Sequence, residues 1–75
     1  MKPFNPKKFA EKLKELRLQK GLTQKELGIQ ADVSLYWIRG CERGKMCRGL
    51  ENLNKIADFF GCSVEYLFGR TDARF

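Results

Sequence analysis

The chain has 75 residues and a formal net charge of +6, from 15 Lys or Arg and 9 Asp or Glu, and it contains no histidine. This length predicts a single domain over residues 1–75 with a modest hydrophobic core. The absence of histidine excludes an imidazole base or zinc ligand, and no phosphate-loop, dinucleotide or zinc-protease motif is present. We therefore expect no cofactor, no metal site and no enzymatic activity.

The basic residues are unevenly distributed along the chain. Residues 1–20 contain seven Lys or Arg against two Glu, and residues 39–48 contain four against one. The segments 21–38 and 49–75 are each close to neutral. This charge favours an anionic partner, most often nucleic acid, although a basic protein whose charge only keeps it dispersed fits the composition equally well.

The cysteines and the hydropathy pattern indicate a reduced, cytoplasmic compartment. Cys41, Cys47 and Cys62 cannot all pair within one chain, and their spacing matches no common metal site. We expect Cys41 to be a small buried apolar residue. No apolar run approaches the ~18 residues of a membrane span, and no secretory signal pattern is present.

The first predicted helix begins at Asn5-Pro6, an N-cap followed by proline at the first helical position. It is expected to run to residue 19 or 20 and to end before Gly21. Its inward stripe has helical spacing and comprises Phe9, Leu13 and Leu16. The lysines on the other side are interpreted mainly as solvated.

The central stretch, residues 22–45, predicts two short helices joined by a tight connection. Thr23 and Glu26 form the T-x-x-E pattern of a capping box at the start of the first of these helices. Gly28 keeps the middle of that helix slim, so that another backbone segment is able to pass close by.

Ser34 is a suitable N-cap for the second helix of this pair, and Gly44 is suited to end it. Ile38 and Cys41 are expected to point inward. Two helices with so short a connection must cross steeply, which is the geometry of a helix-turn-helix.

Two further helices are predicted, over residues 50–60 and 64–68. Gly61 ends the first, and Ser63 caps the second. Residues 70–75 show no strong pattern and are expected to form a loose tail, which leaves a core domain of about residues 6–69. The overall prediction is an all-α fold of five short helices.

The sequence resembles the repressor-type helix-turn-helix of phage repressors, Cro proteins and their bacterial relatives. Within the central stretch the matching residues are LTQKEL, Gly28, Val33-Ser34, Ile38 and Glu42-Arg43-Gly44-Lys45. The segments LKELRLQKG before it and LENLNKIADFFGCSVEYLFGRTD after it also fit, so the resemblance covers roughly residues 8–72. It implies a lambda-repressor-like domain with a central helix-turn-helix.

The resemblance also implies how DNA is bound. The first motif helix lies across the backbone, and the second enters the major groove near its first turn. Gln24 then binds a phosphate or braces a neighbouring DNA-reading residue, although a plain helix-surface role is also open. The implied DNA contacts are Thr23, Gln24, Ser34, Leu35, Tyr36, Arg39 and Gly40. The cations that cluster at the end of the second helix and in the following loop are predicted phosphate contacts on their charge and position, although a solvated-surface role is equally open for each: Arg43, Lys45 and Arg48.

In the resembling repressors, an arginine of the first helix pairs with the glutamate that follows the recognition helix. The resemblance carries this pairing to Arg17 and Glu42. Two unrelated surface charges would contribute at most about 1 kcal/mol, whereas removing one partner of a buried pair costs roughly 3–5 kcal/mol.

The run from Leu35 to Trp37 departs from the family pattern, which usually has polar residues at these positions. In the first explanation, the apolar run lies against DNA, and the protein reads the sequence with few hydrogen bonds and many phosphate contacts, so that its specificity is modest. The protein is then a sequence-specific regulator of transcription, expected to be a repressor, that binds double-stranded DNA as a homodimer on a two-fold-related operator. The alternative is an antitoxin-like or antirepressor-like protein-interaction module that binds a protein through Leu35–Trp37. No membrane role and no small-molecule ligand are predicted.

Overall fold

The computed structural model describes residues 5–45 and 49–74. Across these residues it contains no strand, and the predicted all-α fold is confirmed. Arg48, one of the predicted DNA contacts, lies outside the described residues. The five helices are α1 (Pro6–Gln19), α2 (Gln24–Ala31), α3 (Leu35–Glu42), α4 (Leu50–Phe60) and α5 (Val64–Leu67).

Four of the five helices, all except α4, start at a residue whose side chain caps the helix. The Asn5 side chain accepts hydrogen bonds from the backbone amides of Lys7 and Lys8. The Thr23 hydroxyl accepts from the Glu26 amide at 3.0 Å, while a Glu26 carboxylate oxygen accepts from the Thr23 amide at 2.9 Å. This reciprocal pair is the predicted capping box. Ser34 and Ser63 likewise accept from the amide three residues later.

All five helices contribute buried side chains to one core. Helix α1 packs against α3 and α5, and α2 packs against α3 and α4. Helix α3 is thus supported by two helices, and its remaining side faces outward. The fully buried larger side chains are Phe9, Leu13, Leu27, Ile38, Ile56 and Leu67.

The connection between α2 and α3 is held by a close backbone approach. A Cβ atom at Gly28 would lie only 2.8 Å from the Val33 carbonyl oxygen, which explains the glycine that the sequence predicts for a close approach. Asp32 ends α2 in the left-handed region with φ of 60°. The Lys55 ammonium of α4 donates to the Asp32 carbonyl at 3.1 Å and to its carboxylate at 3.2 Å, so α4 fixes this turn.

The segment after α5, expected from sequence to be loose, contacts the end of α4. The Arg74 guanidinium donates to the Phe60 carbonyl at 2.8 Å, and the Arg74 carbonyl accepts from the Ser63 amide at 2.7 Å. The arginine therefore satisfies a carbonyl at the C-terminus of α4 that the helix itself leaves unpaired.

Cys41 and Cys62 differ in state. Cys41 is 1 % exposed, as its inward position predicts, but it is disulfide-bonded rather than simply a small apolar side chain. Cys62 is a half-buried free thiol, and burial raises its pKa. Within the described residues, no helix combines the length and apolarity needed to cross a bilayer.

Candidate nucleic-acid interface

The inward side of α3 is sealed into the core. Ile38 is fully buried, and the half-buried Trp37 ring packs edge-on against Phe9, with ring centroids 6.4 Å apart and planes 64° apart. Leu35–Trp37 therefore do not form a continuous exposed docking surface, because only Tyr36 is strongly exposed and Leu35 is half-buried. The helical period explains this, since successive residues of a helix point about 100° apart.

The outward side of α3 is formed by residues 36, 39, 40 and 43, which share one face at i, i+3, i+4 and i+7. Tyr36 is 88 % exposed, Arg39 and Arg43 are exposed, and Gly40 is half-buried. We call these four residues the outer face of α3. Among the described residues, neither arginine forms an ion pair with a carboxylate, so both guanidinium groups are available to an external anion.

A cavity of about 450 Å³ opens beside this outer face, between α3 and the first turn of α4. It brings together six of the predicted DNA-contacting residues, namely Ser34, Tyr36, Arg39, Gly40, Arg43 and Lys45. Trp37, Cys41 and Asn52 complete its lining. The sequence analysis missed Asn52, and the available signal was its place on the polar side of the first turn of α4.

On its inward side, the C-terminal end of α3 is anchored by a buried ion pair. The Arg17 Nε donates to Glu42 Oε2 at 2.8 Å, and its Nη2 donates to Oε1 at 3.0 Å. The two side chains are only 10 % and 5 % exposed. A third guanidinium hydrogen bond reaches the Leu22 carbonyl at 2.7 Å, and the hydrogen bond to Glu42 raises the pKa of Arg17. The pair therefore joins α1, the start of α2 and the end of α3.

Gln24 joins the same cluster, because its side-chain amide donates to Glu42 Oε1 at 3.3 Å. One of its two amide hydrogens is thus committed to Glu42 inside the protein, whereas the resemblance implied that Gln24 braces a DNA-reading residue. Thr23 lies one residue earlier as the cap of α2. Thr23, Gln24 and Leu35 do not line the cavity beside α3.

Two capped helices around a tight turn, with the second helix exposing a cationic outer face, define a helix-turn-helix protein. The family model HTH_3, described as helix-turn-helix, matches residues 13–67. The chain belongs to this helix-turn-helix family.

Curated relatives and solved structures agree with this assignment. The chain is 35 % identical over 60 residues to the HTH-type transcriptional regulator DdrOP3 of Deinococcus deserti, covering 80 % of this chain and 46 % of that protein. It is 41 % identical over 59 residues to the HTH-type transcriptional activator BcrR of Enterococcus faecalis, covering 79 % of this chain and 29 % of that protein. The chain thus spans less than half the length of either relative.

The fold is similar to that of restriction-modification controller proteins. The structure of C.AhdI from Aeromonas hydrophila superimposes with a TM-score of 0.73 at 32 % identity, covering 83 % of this chain and 94 % of that one. The controller protein C.Esp1396I gives a TM-score of 0.71 at 26 % identity, covering 92 % and 90 %. The five-helix arrangement is therefore shared along almost the full length of these small proteins.

Proposed function

We propose that this chain binds double-stranded DNA as a transcriptional regulator, with α3 lying in the major groove. The observation that supports this proposal is the outer face of α3, where two arginines without a carboxylate partner among the described residues flank Gly40 beside an open cavity. An α-helix fits the major groove of B-form DNA, and guanidinium groups bind both phosphates and the guanine edge.

The contacts divide into positioning and base recognition. Arg43 and Lys45, at the end of α3, are suited to bind phosphates. The start of α2, with Thr23 and Gln24, offers a helix N-terminus whose unpaired amides suit a further phosphate. Arg39, which lies further inside the helix, is the outer-face residue whose planar fork suits a guanine edge.

We also propose a homodimer on a two-fold-related operator, because a domain that presents one recognition helix contacts only one half-site. Half-sites would then lie about 34 Å apart along the DNA. A cytoplasmic location accompanies a regulator that acts on DNA. The expectation of a repressor stays a prediction, since one of the two relatives, BcrR, is a transcriptional activator.

The decisive measurement is the affinity of the full chain for duplex DNA across a series of salt concentrations. Each phosphate neutralised contributes about −0.9 to the slope of log affinity against log salt. Arg43→Ala is expected to reduce the steepness by about that amount. Lys14→Ala, which removes an exposed cation from α1 away from the cavity, is the matched control and is expected to leave the slope unchanged.

Either of two results would contradict the proposal. One is the absence of duplex binding at low salt by a folded chain. The other is equal slopes for the unsubstituted chain and Arg43→Ala, which would place the contacting cations elsewhere. The number of chains per duplex, measured by analytical ultracentrifugation, tests the homodimer separately.

A further inference from the structure

Gly40 differs from the other six glycines because nothing in the fold requires it. Five of those six have positive φ values between 64° and 102°, namely Gly21, Gly44, Gly49, Gly61 and Gly69. The sixth, Gly28, leaves no space for a Cβ atom against the Val33 carbonyl. Gly40 has no positive φ, and among residues 5–45 and 49–74 a Cβ atom there would meet no neighbouring atom within 4 Å.

A glycine inside a helix is unfavourable relative to alanine, and it is otherwise used where a ligand must approach the backbone. Gly40 lies in the interior of the eight-residue α3 and borders the cavity beside that helix. Since an alanine at this position meets no described neighbour, the glycine leaves space on the outer face for a group that approaches from outside.

The part of the cavity lining that Gly40 and Tyr36 form, which we call the recess, is apolar, whereas the cations Arg39, Arg43 and Lys45 line the cavity around it. Tyr36 lies one turn earlier on the same face, and its side chain has no hydrogen bond or ring contact within the described structure, while 88 % of it is exposed. The amide of Gly40 is used within the helix, and its carbonyl accepts from the amides of Arg43 and Lys45. The recess thus offers no free backbone donor to a phosphate, but it offers a Cα surface beside an aromatic ring.

The major groove presents one apolar group to such a surface, the 5-methyl group of thymine. We propose that the recess formed by Gly40 and Tyr36 receives this methyl group and makes the protein prefer thymine at one position of its DNA site. This inference rests on the proposed DNA binding. Arg39 and Arg43, on either side of Gly40 along the outer face, hold the duplex against the recess.

The test starts from duplexes that the full chain selects from a random pool. Each thymine of a selected site is then replaced, one at a time, by deoxyuridine, which removes only the methyl group. Replacement at one position of each half-site is expected to weaken binding about fourfold, the value of one buried methyl-sized group. Replacements at the other positions are expected to leave the affinity unchanged.

Gly40→Ala assigns the effect to the recess, because the added methyl group occupies the space that the thymine methyl would fill. This variant is expected to bind the selected site more weakly and to lose the difference between thymine and deoxyuridine. Its melting temperature is expected to equal or exceed that of the unsubstituted chain, which shows that folding is intact. Asn54→Ala, on the exposed side of α4, is the matched control and should retain the full difference.

Failure of this inference is distinct from failure of the proposed function. If sites are selected but no deoxyuridine replacement changes the affinity by more than twofold, the recess does not bind a methyl group. The same conclusion follows if Gly40→Ala keeps the thymine preference. If the folded chain selects no duplex at all, the DNA-binding proposal itself is wrong and this inference falls with it.

Discussion

The inward and outward faces of α3 differ in how their side chains are partnered. On the inward side, Ile38 is fully buried, and Glu42 receives hydrogen bonds from both Arg17 and Gln24. On the outward side, Tyr36 and Arg39 are exposed, and neither side chain bonds to another described residue. One eight-residue helix thus has a hydrogen-bonded, buried face that supports the fold and an exposed face that, under the proposed function, binds DNA. Variants of the two faces should therefore affect different measurements.

Removing one partner of the buried ion pair is expected to have the largest effect. Arg17→Ala leaves the Glu42 carboxylate in a nearly inaccessible site without its bidentate partner. The free energy of unfolding should fall by about 3–5 kcal/mol, as measured by urea denaturation followed by circular dichroism. DNA affinity should fall with it, because α3 loses its anchor.

The double substitution of Arg17→Met with Glu42→Leu tests whether the loss of stability comes from leaving the Glu42 charge unpaired. Replacing a buried pair by apolar residues of similar volume is often neutral or stabilising, so the double variant should be more stable than Arg17→Ala. A loss below about 1 kcal/mol for Arg17→Ala would instead mean that water screens the pair as it does at a surface.

Arg39→Ala tests the outward face and is expected to change DNA binding while leaving stability almost unchanged. The exposed guanidinium has no carboxylate partner within the described part of the chain, so the free energy of unfolding should change by no more than about 0.5 kcal/mol. If Arg39 contacts a guanine edge, discrimination at one base pair should fall by about 1–3 kcal/mol. Competition between selected and single-base-changed duplexes measures this, and an equal loss for all sequences would assign Arg39 to a phosphate.

Alanine substitutions at two glycines of the motif should have opposite effects on stability. Gly28→Ala places a Cβ atom 2.8 Å from the Val33 carbonyl oxygen, and such overpacking costs about 1–3 kcal/mol, only partly offset by the better helix propensity of alanine. Gly40→Ala meets no neighbour within 4 Å and should stabilise the chain by about 0.5–1 kcal/mol. Thermal denaturation of both variants checks this, and destabilisation by Gly40→Ala would show that the outward face is more tightly packed than its geometry indicates.

Local sequence signals were sufficient for the helices, because caps and glycine stops act on residues three or four positions away. The capping box at Thr23 and the close approach at Gly28 are examples. Deciding which residues of α3 are exposed required knowledge of the tertiary contacts. Trp37 looks exposed in a run of large apolar residues, yet it packs on Phe9 of α1, a contact that no local pattern encodes.

The candidate site was partly predictable for the same reason. Six predicted residues border one cavity because they follow α3 and its C-terminal end, whose helical spacing the sequence shows. Asn52 was missed because it joins the cavity from α4, across the fold. The hydrogen bond from Gln24 to Glu42 likewise spans 18 residues of sequence, and only the resemblance to repressors suggested a bracing role.

The smallest expected effect concerns the pH dependence of stability and arises at the start of α2. Hydrogen bonds from the Thr23 amide and with its hydroxyl lower the pKa of Glu26 below its ordinary value of 4.5. A depressed pKa in the folded state means that the carboxylate adds stability above pH 4.5, and this contribution is lost as the pH falls through the folded-state pKa. Glu26→Gln keeps a side chain able to complete the capping box but removes this titration.

Between about pH 5 and pH 3, the free energy of unfolding should therefore decline less for Glu26→Gln than for the unsubstituted chain. The difference is the contribution of the single Glu26 carboxylate. Identical profiles for Glu26→Gln and the unsubstituted chain would mean that the capping hydrogen bonds do not distinguish the charged carboxylate from the neutral one.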